Sequence, residues 1–241
     1  MCTVTIIPQG KSDFVLTSNR DEAPNRSSLS PELYTIKNTT MLFPKDELAG
    51  GTWIGVSGKK RLVCLLNGGF SFHERQAEYR MSRGIVVKDV LASDDIAASI
   101  ESYNFIGVEP FTMVIVDWNL DLQFMELVWD GSQKHFNQLP LEPKIWSSST
   151  LYSTTMKQER LQWFEDFKKK NVLNAESLLN FHQNTKNDND EYGVIMDRGF
   201  VKTTSITQVE KSNDSVEMRY TNLNTKETAV KVFKRLEVIN E

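Results

Sequence analysis

Two β-branched runs open the chain, Thr3-Val4-Thr5-Ile6-Ile7 and Asp13-Phe14-Val15-Leu16-Thr17, and the turn formers Pro8-Gln9-Gly10-Lys11 between them predict an N-terminal hairpin. A hairpin placed there pins residues that otherwise fray at a chain end. Strand patterning recurs over residues 33–37, 52–57 and 62–66, and amphipathic helices are predicted around 83–92 and 94–103. The apolar runs 111–118 and 122–129 flank the turn Asn119-Leu120-Asp121, after which residues 156–170 and 175–183 read as two helices. Strands return at 203–210, 216–221 and 229–234, with Ser212-Asn213-Asp214 turning between the first two. Strands with helices inserted in pairs predict an α+β fold, an αββα sandwich of two stacked, mainly antiparallel sheets with helices outside.

The 241 residues hold no Pro-, Gly- or Ser-rich divider and no fixed-period repeat, so a single domain over 1–241 is expected. The longest apolar runs are strand-sized and no membrane span is expected. Thr3, Thr5, Gln9, Lys11 and Asp13 interrupt the N-terminal apolar pattern, which argues against a signal peptide and leads to the expectation of a cytoplasmic protein. A net charge of −4 offers no electrostatic footprint for nucleic acid. The basic run Lys168-Lys169-Lys170 reads as complementing a helix C-terminus. With two cysteines, Cys2 and Cys64, a disulfide framework is not expected, and Cys64 within Arg61-Leu62-Val63-Cys64-Leu65-Leu66 reads as a buried small hydrophobe.

Cys2 is different in kind. Removal of the initiator Met from Met1-Cys2-Thr3 leaves a thiol and a free α-amine on one residue. The amine, with an ordinary pKa of about 7.7–8.0, suits general-base work at neutral pH, and the thiol is the side chain nearest to acting as a nucleophile unaided.

Ser18-Asn19-Arg20-Asp21-Glu22, at the end of the second strand, carries a family signature. The chain resembles the NRDE family, also called the transport-and-Golgi-organisation-2 (Tango2) family. Met1-Cys2-Thr3, Gly50-Gly51-Thr52-Trp53-Ile54-Gly55, Asn67, Ser82-Arg83-Gly84, Ser148-Ser149-Thr150-Leu151-Tyr152 and Thr203-Thr204-Ser205 extend the resemblance over most of the chain. It implies an Ntn-hydrolase-like αββα fold, similar to choloylglycine hydrolases and penicillin V acylases, which cleave non-peptide amides with an N-terminal Cys. The implied partner is a small molecule. Some members of the family are linked to haem handling and to lipid or acyl-CoA metabolism, so a non-enzymatic binding protein is the alternative. In that alternative haem is a ligand; under the hydrolase reading no cofactor and no metal are expected, and His73, His135 and His182 are widely spaced.

The site expected from these residues has Cys2 as nucleophile, Arg20 favouring thiolate, Asp21 orienting the amine and Asn67 donating to an oxyanion. Asn19, Gly68, Ser148 and Arg198 are expected to hold substrate, Arg198 through a carboxylate. Strand alternation puts Asn19 with Asp21 on one face and Arg20 with Glu22 on the other, so a bulge or strand end is expected to bring Arg20 and Asp21 together. The competing readings are an ion-pair cluster at Arg20-Asp21, a turn at Asn67-Gly68 and a solvated Arg198. Substrate specificity is expected to lie in loops over 70–79 and 129–146.

Overall fold

The computed structural model describes residues 3–233. The hairpin is formed by β1 (Thr3–Gln9) and β2 (Asp13–Glu22). Next come β3 (Ser28–Ile36), β4 (Thr39–Asp46), β5 (Ile54–Ser57) and β6 (Arg61–Asn67), then α1 (Arg83–Ala92) and α2 (Ile96–Ser102). Strands β7 (Phe111–Asp117), β8 (Gln123–Trp129), β9 (Lys134–Leu139) and β10 (Lys144–Ser147) lead to α3 (Thr154–Lys170) and α4 (Ala175–Asn184). The order closes with β11 (Lys202–Ser212), β12 (Ser215–Asn222) and β13 (Thr228–Phe233).

Among the described residues these strands form a six-stranded sheet, β10-β1-β2-β11-β12-β13, and a seven-stranded sheet, β3-β4-β5-β6-β7-β8-β9. Period-two alternation divides each strand between two cores. Val4, Ile6, Phe14 and Leu16 meet Ile54, Leu62, Cys64 and Val114 between the sheets. On the outer face of the six-stranded sheet, Ile7 and Val15 pack on Phe164 of α3 and on Leu178 and Phe181 of α4. On the outer face of the other, Val63, Leu65, Met113 and Ile115 lie beneath Val86, Val90 and Ile100 of α1 and α2. The four layers are therefore helix, sheet, sheet, helix, as expected. No helix among the described residues is long and apolar enough to cross a membrane.

Three strands depart from the pattern-based expectation. β4 follows β3 through Lys37 and Asn38, both at positive φ, a two-residue turn that lets the chain reverse where the apolar pattern simply stops. β9 and β10 occupy the segment expected to be a specificity loop; β9 is an edge strand of half-exposed, largely polar residues that carries little hydrophobic signal. Of the two segments expected to be specificity loops, 70–79 is the irregular one.

Candidate active site

β2 places its polar C-terminal half by alternation alone. Arg20 points between the sheets, where its guanidinium lies 4.6 Å over the Trp53 ring and donates to Asp46 at 2.6 Å. Arg26 donates to the same Asp46 oxygen at 2.9 Å, and Glu22 lies 3.3 Å from Arg26 and 3.8 Å from Arg20. Burial by itself favours the neutral form of the Asp46 carboxyl, yet the Ala49 N–H and the two arginines hold it below its ordinary value. Glu22 is likewise held down, against its burial, by the Ala23 N–H and by Arg26 and Arg20.

These residues form one wall of a cleft of about 410 Å³. Asn67, at the end of β6, lines it too; its side-chain amide makes no hydrogen bond to any described residue. Trp53, 5 % exposed, also lines the cleft, and its indole N–H is buried without a partner among the described residues. The far side is built by the 70–79 loop, through Arg75, Ala77 and Tyr79, and by Ser82-Arg83-Gly84 at the start of α1. Two glycines make that junction: a Cβ at Gly84 would sit 3.0 Å from the Thr52 backbone and 3.1 Å from Gly51 Cα, so helix and turn touch main chain to main chain.

The opposite face of β2 is closed. Asn19 donates from its amide to the carbonyls of Val194 at 2.7 Å and His182 at 3.2 Å, while its own oxygen lies 2.8 Å from His182 Nδ1. With both amide protons of Asn19 used, that oxygen accepts from Nδ1–H, and Nε2 accepts from the Thr5 hydroxyl at 2.7 Å. His182 is thus a neutral Nδ1–H tautomer, and burial, aided by the charge of Arg160, pushes its pKa down to about 3. Beside it Asp21 accepts from Tyr152 Oη at 2.8 Å and from Thr203 Oγ1 at 2.6 Å. The fully buried Arg160 stacks 4.0 Å over the Tyr152 ring and donates to Thr3 Oγ1, which ties the start of β1 to α3.

Of the expected site residues, Arg20 and Asn67 therefore share the cleft, while Asp21 and Asn19 lie on the other face of β2, Asp21 against Tyr152 and Thr203 and Asn19 against His182 of α4. The expected bulge exists, but on the partner strand. β11 shifts register between Thr203 and Ser205, opposite Asp21 and Arg20, so β2 keeps its alternation and the two side chains stay apart. Thr204, the extra residue, donates to the Arg20 carbonyl and accepts from its guanidinium. The Gly68 N–H is taken by the Pro110 carbonyl, and the Ser148 hydroxyl donates to the Asn67 carbonyl at 2.7 Å, so both support Asn67 from outside the cleft wall. Arg198 donates to the carbonyls of Glu191 and Leu151 and packs by Tyr152, on the helix side of the sheet. Cys2 lies outside the described residues; Thr3, to which it is bonded, pairs with Asn19 and Ser147.

Asp46, Arg83 and Glu109 are site residues that the sequence does not single out. Arg83 and Glu109 pair at 3.1 Å on the cleft wall. The Ser82-Arg83-Gly84 motif could have pointed to Arg83, whereas nothing in the sequence around Asp46 or Glu109 marks either one. Cys64 is sealed in the inter-sheet core, where burial pushes its thiol up to about 12 against the lowering effect of Ser18. Among the aromatic side chains, Trp118 and Trp129 pack on Phe14 and Phe105, whereas Phe70 and Phe72 are exposed. Among the described residues no three His, Cys, Asp or Glu side chains gather in a way that would hold a metal ion.

The family model described as Transport and Golgi organisation 2 matches residues 1–234. No curated protein matches the chain in sequence. Among solved structures, the Caenorhabditis elegans ortholog of N-acylethanolamine-hydrolyzing acid amidase is similar at a TM-score of 0.58 and 12% identity, over 86% of this chain and 92% of that one. Penicillin V acylase from Agrobacterium tumefaciens is similar at 0.52 and 9% identity, over 95% and 85% of the two chains. A single-residue variant of conjugated bile acid hydrolase from Clostridium perfringens is similar at 0.51 and 9% identity, over 100% and 99%. At such identities these likenesses establish the fold, that of Ntn-hydrolase-like enzymes.

Proposed function

The chain belongs to the Transport and Golgi organisation 2 family, and from that membership together with the cleft we propose that it is an N-terminal-cysteine hydrolase of a non-peptide amide or related acyl bond. The observation that carries this reading is the pairing, in one cleft, of a guanidinium at Arg20 with a side-chain amide at Asn67 that no described residue engages. After Met1 removal, the α-amine of Cys2 takes the thiol proton and the thiolate attacks the acyl carbonyl. Asn67 donates to the oxyanion, the amine returns the proton to the leaving group, and water then hydrolyses the thioester and restores the thiol. Arg20 favours the thiolate. Asp21 orients the amine, its carboxylate held by Tyr152 and Thr203 at the end of the hairpin to which Cys2 is bonded. The three fold relatives are by name an amidase, an acylase and a hydrolase, which supports this reaction class.

The test is a screen of acyl amides and thioesters on Met-processed protein, with acylation followed by intact mass. Turnover is expected to vanish in Cys2→Ala and to fall roughly 10²–10³-fold in Asn67→Ala, the usual cost of one oxyanion donor. Retention of Met1 in the mature protein, or acylation that survives Cys2→Ala, would sink the proposal. Stoichiometric ligand binding without any acyl-enzyme would favour the binding-protein alternative.

A further inference from the structure

The cleft is more basic than the chain that holds it. Arg20, Arg26, Arg75 and Arg83 line it against Glu22, Asp46 and Glu109, in a protein whose net charge is −4. The acids are already engaged: Asp46 and Glu22 with Arg20 and Arg26, Glu109 with Arg83 at 3.1 Å and with His73 at 3.6 Å. Arg75 makes no ion pair among the described residues. It stands exposed on the 70–79 loop, and burial lowers the pKa of the Arg83 guanidinium, an effect Glu109 and, more weakly, Glu22 oppose and the charge of Arg75 reinforces. Arg75 and Arg83 thus both line the rim, where Glu109 is already paired with Arg83 and His73, while the interior offers the apolar sides of Trp53, Leu65 and Met81. Such a rim lacks one negative charge.

We infer that the cleft takes a monoanionic acyl compound, its carboxylate clasped between Arg75 and Arg83 at the rim and its acyl portion laid along Trp53 and Leu65 toward Asn67. The inference rests on the cleft being the reactive site proposed above, and it reassigns to Arg75 and Arg83 the carboxylate-holding role that the sequence suggested for Arg198. A single charge fits, because one excess arginine balances one anion, whereas a phosphate dianion would set surplus negative charge beside Glu109.

Titration calorimetry on the full-length Cys2→Ala protein, with octanoate and octanamide as probes, tests this without depending on turnover. Octanoate is expected to bind about tenfold or more tightly than octanamide, and Arg75→Gln to weaken octanoate roughly three- to tenfold while leaving octanamide unchanged. Arg198→Gln should leave both probes unaffected. Equal affinity for the two probes, indifference to Arg75→Gln, or displacement of octanoate by inorganic phosphate at matched ionic strength would each overturn the inference. Because the titrated protein lacks the thiol, a negative substrate screen with positive octanoate binding removes the hydrolase reading alone. Turnover of neutral amides with no octanoate binding removes this inference alone.

Discussion

Along β2, Arg20 and Glu22 turn toward the opposite sheet while Asn19 and Asp21 turn toward α3 and α4, and the surroundings of the two pairs differ in kind. The inter-sheet pair is charged, salt-bridged and borders an open cleft, so its groups can be reached by a ligand. The helix-side pair is sealed, and there hydrogen bonds to buried side chains replace solvent: Asn19 with His182, Asp21 with Tyr152 and Thr203. The Asn-Arg-Asp-Glu signature is therefore two devices on one strand, a cleft wall and a buried polar anchor on the opposite face. Burial of polar groups is tolerated behind the strand because every side-chain donor of Asn19 and His182 is matched.

If the anchor is as dry as this, acid should attack it first. The ordinary His pKa is 6.5, and that of His182 is about 3 in the fold, so between these values the unfolded chain binds a proton that the folded chain does not. Its stabilising contribution is whole above pH 6.5 and is lost as pH falls through that window, by roughly 2 kcal/mol at pH 5 and roughly 4 kcal/mol at pH 3. Urea unfolding of the wild type against His182→Gln should show the gap between them shrinking from pH 7 to pH 5; a constant gap would mean that His182 is not held neutral by the fold.

A smaller break comes from Asn19→Ala, which strands the His182 and Val194 carbonyls and the His182 Nδ1–H in a closed site. A loss of about 3 kcal/mol is expected at pH 7, read from the denaturation midpoint, with Cys2 acylation reduced only as far as the protein unfolds. On the other face, Arg20→Met should cost less, about 1–2 kcal/mol, because Asp46 keeps Arg26 and the Ala49 N–H. Its distinctive mark is an upward shift in the pH profile of Cys2 acylation. Acylation at an unchanged pH profile in folded Arg20→Met protein would move Arg20 from the chemistry to the scaffold.

Much of this arrangement is legible along the chain. The alternation through Asn19, Arg20, Asp21 and Glu22 already separates the two faces, and the end of the 62–66 apolar run already marks Asn67. Ser82-Arg83-Gly84 and Gly50-Gly51-Thr52-Trp53 stand out as motifs, but not as neighbours; their contact rests on Gly51 and Gly84, distant in sequence, where a Cβ on either would come within 3.1 Å of the other's Cα. The position of the bulge is also out of reach, since it depends on how β11 is spaced against β2 and not on β2 itself. Arg160 sits on a helix of ordinary amphipathic pattern, where an arginine reads as solvent-facing, yet it is fully buried against Tyr152 and Thr3.

What the sequence determined by itself is the layering and the facing of side chains, because period-two and helical alternation are local properties of the backbone. Tertiary structure alone decided that Arg20 meets Asp46 and Trp53, that Asp21 meets Tyr152, and that Arg75 and Arg83 border the same cleft. The pairings of Arg20 and Asp21 join segments separated in the chain, and charge complementarity and close packing select them only once two sheets and two pairs of helices have been brought face to face.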